Sequence, residues 1–120
     1  MKIAIPTIGK GGLGAERSGH FGHCDVFSIV EISDGKVVGI SELENPPHEE
    51  GGCTRPVKLL YEAGIDGIVA AGMGMRPMRA FADAGISVYY DTQTPNVGDV
   101  ARLVAAGKVP VMTPENACRH

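Results

Sequence analysis

The chain has no tryptophan, and aromatic residues make up only 5% of its 120 positions. Platforms for stacking bases are therefore scarce. Positive charge is not in excess: 11 Lys and Arg stand against 14 Asp and Glu, a formal net charge of −3. That leaves no basic footprint for nucleic acid and no polybasic signal for a membrane surface. No apolar run approaches a membrane span. The start, Met1-Lys2-Ile3-Ala4-Ile5-Pro6, is too short an apolar run for a signal peptide. Cysteine is limited to three, so at least one stays unpaired; a disulfide framework is not expected, and a reducing, cytoplasmic location is. The C-x-x-C pairs of structural zinc sites are missing. So are a G-x-S-x-G nucleophile elbow and a G-x-x-x-x-G-K-S/T phosphate loop; Gly9-Lys10-Gly11-Gly12-Leu13-Gly14 has no Ser or Thr after its lysine and no helix following.

What is present fits one globular domain. Apolar residues are 43% and charged residues 21%, with a mean hydropathy close to zero, and the length suffices to bury a core. Residues 2–6 read as a short apolar strand ending at Pro6. Residues 9–24 hold six glycines and read as a loop. Strands are expected at 26–32 and 37–43, joined by the hairpin signal Asp34-Gly35. After a polar loop at 48–54, Thr54 is placed to cap a helix that ends at Gly64. The continuous apolar run 65–71 predicts a strand buried on both faces. Gly72-Met73-Gly74 then turns into a helix ending at Gly85; residues 86–90 form the last strand and 96–106 the last helix, stopped by Gly107. The hairpin requires antiparallel pairing and the later β-α-β units require parallel pairing, so the sheet is mixed, with about five strands and helices on both faces. Residues 1–108 make the domain, and 109–120, with Pro110 and Pro114, read as a tail.

The candidate chemistry lies in the loops. His20, Phe21, Gly22, His23 and Cys24 form one run; His48 and Cys53 sit in a second loop, and Cys118 and His120 lie at the end. This concentration of imidazole and thiol suggests metal or metal–sulfur chemistry.

Several stretches together resemble one family. Ser18-Gly19-His20-Phe21-Gly22-His23-Cys24 resembles the S-x-H-F-G-x-C/A signature of the dinitrogenase iron–molybdenum cofactor biosynthesis proteins. Asn45-Pro46, Ala71-Gly72-Met73-Gly74-Met75-Arg76-Pro77 and Gly85-Ile86-Ser87-Val88-Tyr89 resemble further parts of that family, so the likeness extends to about residue 108. It implies a ribonuclease-H-like three-layer α/β/α fold, with strand order 3-2-1-4-5 and strand 2 antiparallel. It also implies carriage or insertion of iron–molybdenum cofactor precursors. A similar branch, the orange proteins of sulfate-reducing bacteria, holds a molybdenum–copper sulfide cluster. His23-Cys24 and the ending Cys118-Arg119-His120 are not part of the shared signature.

Such clusters are anions with soft sulfide surfaces. Gly72 and Gly74 would expose backbone N–H groups at a helix start, Arg76 and Arg79 add positive charge, and Met73, Met75 and Met78 offer polarisable contact. Each also has a purely structural reading: glycines for close β-α packing, methionines filling the core, arginines on a solvated helix face. His20 could ligate metal or donate to sulfide, or its ring could pin the loop. Phe21 could anchor the loop in the core. His23 and Cys24, as neighbours, point to opposite sides of an extended segment, and Cys24 could be a small buried hydrophobe. His48 and Cys53 could close over the site or form a surface loop. Metal ligation is therefore assigned to His20, Cys24, His48 and Cys53. No acidic residue lies in the first strand, which argues against a two-metal nuclease on this fold. The sequence reads as a non-catalytic carrier or assembly factor, monomeric or weakly dimeric, that exchanges its cargo with cluster-assembly or acceptor proteins. The alternative is a regulatory or scaffold module of the same fold that binds only a protein partner.

Overall fold

The computed structural model describes residues 1–10, 12, 14–18, 25–44, 54–71 and 75–112, with main chain alone at 54–56 and 75–77. The elements in chain order are β1 (Lys2–Thr7), β2 (Val26–Ser33), β3 (Lys36–Glu44), α1 (Thr54–Glu62), β4 (Gly67–Ala70), α2 (Met75–Asp83), β5 (Ser87–Tyr90) and α3 (Val97–Ala105). The strands form one sheet in the order β3-β2-β1-β4-β5. β2 runs antiparallel to both its neighbours, and β1, β4 and β5 are mutually parallel. This is the mixed order the sequence led us to expect. Asp34 and Gly35 both take positive φ, 53° and 75°, the requirement of the type I′ hairpin that matches strand twist.

The sheet separates two apolar layers. Ala4, Phe27, Ile29, Ile68 and Ala70 face Val57 and Leu60 of α1 and Phe81 of α2. Ile3, Ile5, Val30, Ile32 and Val69 face Val97, Val100, Ala101 and Val104 of α3. The period-two alternation along each strand thus assigns successive residues to opposite layers, and β4 and the stretch Ile3–Pro6 of β1 are apolar because both their faces are covered.

Each helix ends in the same way. Gly64, Gly85 and Gly107 take φ of 74°, 77° and 72°. Behind them the N–H groups of Ile65, Ile86 and Lys108 reach back to the carbonyls of Leu60, Phe81 and Leu103, the six-to-one bond of a Schellman cap. These caps explain the differences from the sequence reading. Ile65 and Ile86 were expected to open strands; both instead close a helix, so β4 starts at Gly67 and β5 at Ser87. The helix expected to reach Gly85 stops at Asp83, Thr54 lies inside α1 instead of capping it, and Asn96 caps α3 from outside by accepting from the Asp99 N–H.

Pro6 lies within a central strand, where a missing N–H is usually excluded. The main-chain groups of Lys2 bond to Asp66, on the β4 side, so by alternation Pro6 also faces that side. Registered pairing with β4 covers only Ile3 and Ala4, so no ladder bond is lost, and β1 continues past Pro6 to Thr7.

The stretch after residue 108, read as a tail, begins as part of the body. Val109 and Met112 are buried, one in each apolar layer. Tyr90 donates to Pro110 O (2.8 Å), Met112 donates to Val88 O (2.6 Å), and Val111 forms an antiparallel bridge with Tyr89. Among the described residues no helix is long and apolar enough to cross a membrane.

Candidate functional site

The register of the sheet gathers the loops of interest along one edge. Thr7 lies opposite Val26, and Val26 opposite Glu44. Since β4 and β5 run parallel to β1, the ends of β1, β3, β4 and β5 and the start of β2 share that edge. At the usual strand spacing, the end of β3 and the end of β4 are about 14 Å apart. The segments 19–24, 45–53 and 72–74 all depart from it. Both ends of 19–24 are held by β1: Ser18 donates to Pro6 O (2.8 Å) and Asp25 donates to Thr7 O (3.2 Å). In open α/β sheets this carboxyl edge is where ligands bind.

His20, Phe21, Gly22, His23, Cys24, His48, Cys53, Gly72, Met73 and Gly74 lie in these segments, outside the described residues, as do Cys118 and His120. Among the described residues, accordingly, there is no cluster of three His, Cys, Asp or Glu that could hold a metal ion. Met75 and Arg76 occupy the first turn of α2. Arg79 is exposed and lines a different groove, with Met78, Ala82, Ser87, Val111 and Met112, beside the start of β5.

The helices contribute fields at the carboxyl edge. α1, α2 and α3 each follow a strand that ends there, so all three N-termini gather at it, where the helix dipole is positive. α1 and α2 carry no acidic residue in their first turn. α3 has Asp99 there.

The segment leading into 19–24 is held by polar bonds, two of them buried, that sequence reasoning missed. Thr7 and Ser28 are the buried polar residues of the described core, both with no exposed surface. Thr7 Oγ1 donates to Ile5 O (2.7 Å) and lies 2.7 Å from Ser28 Oγ. With its one proton committed, Thr7 must accept from Ser28, which in turn accepts from the Gly12 N–H at 3.3 Å. Gly9 N–H adds a bond to Asp25 Oδ2 (2.7 Å). The chain then returns antiparallel to β1, with Ile8 donating to Glu16 O.

Arg17 is the second missed feature. Its side chain is only 6% exposed and pairs with Asp91 at 3.3 Å, itself 13% exposed. Nη1 also donates to Thr94 O (2.7 Å) and Nη2 to Asp91 O (2.9 Å); among the described residues its buried Nε has no partner. The Asp91 carboxylate accepts from the N–H groups of Gln93 (2.8 Å) and Thr94 (2.9 Å) and from the Thr94 hydroxyl (2.9 Å). Burial alone would raise the Asp91 pKa; the bonds from Gln93 and Thr94 and the charge of Arg17 outweigh it and hold the group below the usual carboxylate range. Burial lowers the pKa of Arg17, opposed by Asp91, but a guanidinium stays protonated in proteins. The signal in the sequence was Asp-x-x-Thr directly after a strand, an Asx-turn pattern, and a lone arginine in a glycine-rich stretch.

Arg17, Ser18, Ala71 and residues 91–95 line a cleft of about 310 Å³, the lower range of small-ligand sites. Ser18 and Ala71 are the last described residues before the 19–24 and 72–74 segments.

The family model described as dinitrogenase iron-molybdenum cofactor matches residues 1–107. An uncharacterized protein of Methanocaldococcus jannaschii is 32% identical over 111 residues, spanning 91% of this chain and 89% of that protein. The apo form of the orange protein from Desulfovibrio gigas superposes with a TM-score of 0.79 at 22% identity, over 92% of each chain; at that identity the likeness is one of fold.

Proposed function

Starting from the fact that the chain belongs to the dinitrogenase iron-molybdenum cofactor family, we propose that it binds and carries an anionic molybdenum-containing metal–sulfide cluster or cofactor precursor, with iron or copper as second metal. One observation carries this reading. The sheet edge that tethers the His20–Cys24 and His48–Cys53 segments also collects the N-termini of α1 and α2, which have no first-turn acid to neutralise them. Soft donors and the positive ends of helices at one edge suit a sulfide anion better than a bare cation.

Direct ligation falls to His20, Cys24, His48 and Cys53. The main chain at 72–74 and the Arg76 charge at the start of α2 supply hydrogen bonds and charge; Phe21, Gly22, His23, Met73 and Met75 shape the contact surface. Carriage without turnover fits Asp91, the one carboxylate among the described residues lining the cleft. Among the described residues Asp91 accepts from Gln93, Thr94 and Arg17, and its lowered pKa makes it a loop-shaping group and a weak general base. Cluster-assembly and acceptor proteins in the cytoplasm are the exchange partners of such a carrier.

The test is anaerobic isolation followed by elemental analysis and visible absorbance. The expected result is molybdenum, with iron or copper, and a visible band that survives desalting. Protein that stays colourless and free of molybdenum after incubation with tetrathiomolybdate and either iron or copper would overturn the proposal and favour the regulatory or scaffold module.

A further inference from the structure

The cleft wall at 91–95 and the segment 14–18 belong to distant parts of the chain and meet through main-chain bonds and the Arg17 side chain. Arg17 bonds three acceptors of the opposite wall: Asp91 Oδ1, Asp91 O and Thr94 O. Two main-chain bonds run alongside, Arg17 N–H to Pro95 O (2.7 Å) and Val97 N–H to Ala15 O (3.0 Å). Asp91 is in turn locked by its own Asx turn. A planar guanidinium fork satisfies several acceptors in one geometry, which a lysine ammonium does not reproduce.

We infer that Arg17 and Asp91 are positioning residues for the cargo cleft, fixing the separation of its two walls before cargo arrives. The inference rests on the carrier reading. Arg17 does not act as the anion-binding charge itself: it is buried and paired with Asp91 at 3.3 Å, so its field at the cleft is largely cancelled. A wall held in advance lowers the ordering cost of binding, and a rigid neighbouring shell keeps contact atoms in register.

The experiment uses the full chain and the variants Arg17→Lys, Arg17→Met and Asp91→Asn, all measured well below their melting temperatures. Amide hydrogen exchange of the apo proteins comes first. Arg17→Met is expected to lower protection at the Arg17 and Gln93 amides at least tenfold while leaving Val30 unchanged; unchanged protection overturns the clamp whatever the cargo. Titration with tetrathiomolybdate comes second. Arg17→Lys and Arg17→Met should weaken binding by a similar factor, about tenfold, and the induced visible circular dichroism of the saturated variants should fall, a signal that a merely stabilising residue leaves intact. Lysine restoring wild-type affinity would replace positioning by simple charge attraction and overturn the inference. If wild-type protein binds no thiomolybdate, with iron or copper present as well as without, the carrier reading fails at that step, and the exchange result alone decides the clamp.

Discussion

The hydroxyls of Thr7 and Ser28, 2.7 Å apart at the carboxyl end of β1, form a one-way hydrogen-bond relay. It runs from the Gly12 N–H through Ser28 and Thr7 to the Ile5 carbonyl. Ser28→Ala leaves the Gly12 N–H without its acceptor and should lower stability by about 1–2 kcal/mol. Because the two hydroxyls share one relay, the Thr7→Val/Ser28→Ala double variant should lose less than the sum of the single changes. Urea unfolding of the four proteins measures both; strict additivity would show that the relay is not a unit.

Gly67 sits where β4 meets both neighbours. A Cβ there would lie 2.7 Å from Tyr89 Cε2 and 2.9 Å from Ile3 Cδ1, and Ile3 is fully buried. Gly67→Ala should therefore destabilise by about 1–3 kcal/mol through overpacking. Tyr89→Ala in the same chain should recover part of that loss, as read by thermal unfolding.

The acid limb of stability should report Asp91. Its folded pKa lies below its unfolded value, so its contribution is present above the unfolded pKa, about 3.9. That contribution is lost as pH falls through the folded pKa, because the unfolded state then binds the proton more readily. The stability gap between wild type and Asp91→Asn should be constant from pH 5 to 7 and shrink below about pH 4. A gap that persists at low pH would mean the carboxylate's charge is not what Arg17 and the Asx turn use.

Arg76 and Arg79 should behave differently. Arg76 is in the first turn of α2 at the carboxyl edge, whereas Arg79 lines the groove with Ser87 and Met112. Arg76→Ala is expected to reduce cluster retention on a desalting column about tenfold, the scale of one charge-assisted contact, while Arg79→Ala leaves it unchanged. Cys24→Ser abolishing retention while Arg76→Ala keeps it would favour thiolate ligation over an anion cradle.

Much of this architecture was legible because local rules agreed with one another. Asp34-Gly35 dictated the hairpin, and the glycines at 64, 85 and 107 marked the helix ends correctly because each position requires positive φ. Strand starts were less legible: Ile65 and Ile86 are apolar for a reason that periodicity cannot distinguish from strand burial, namely closing a Schellman cap. The docking of Val109 and Met112 was hidden by Pro110, which suggests a tail locally but here only supplies its carbonyl to Tyr90. At the candidate site, composition drew attention to histidine and cysteine. The features that shape the described cleft, Arg17 with Asp91 and Thr7 with Ser28, are pairings 74 and 21 residues apart, and no window along the chain brings them together.

The strand-like docking of residues 110–112 gives the sheet two unlike margins. Beyond β5, the Pro110 carbonyl and the Met112 N–H occupy main-chain groups that another chain could otherwise use; beyond β3 the margin carries Glu42 and Glu44, with a register irregularity beside it at Glu31 and Ile32. One border is sewn shut and the other is charged and uneven, both recognised defences against edge-to-edge aggregation. A chain trimmed after residue 108 would unpick the sewn border, exposing the flank of β5 and thinning both apolar layers at once.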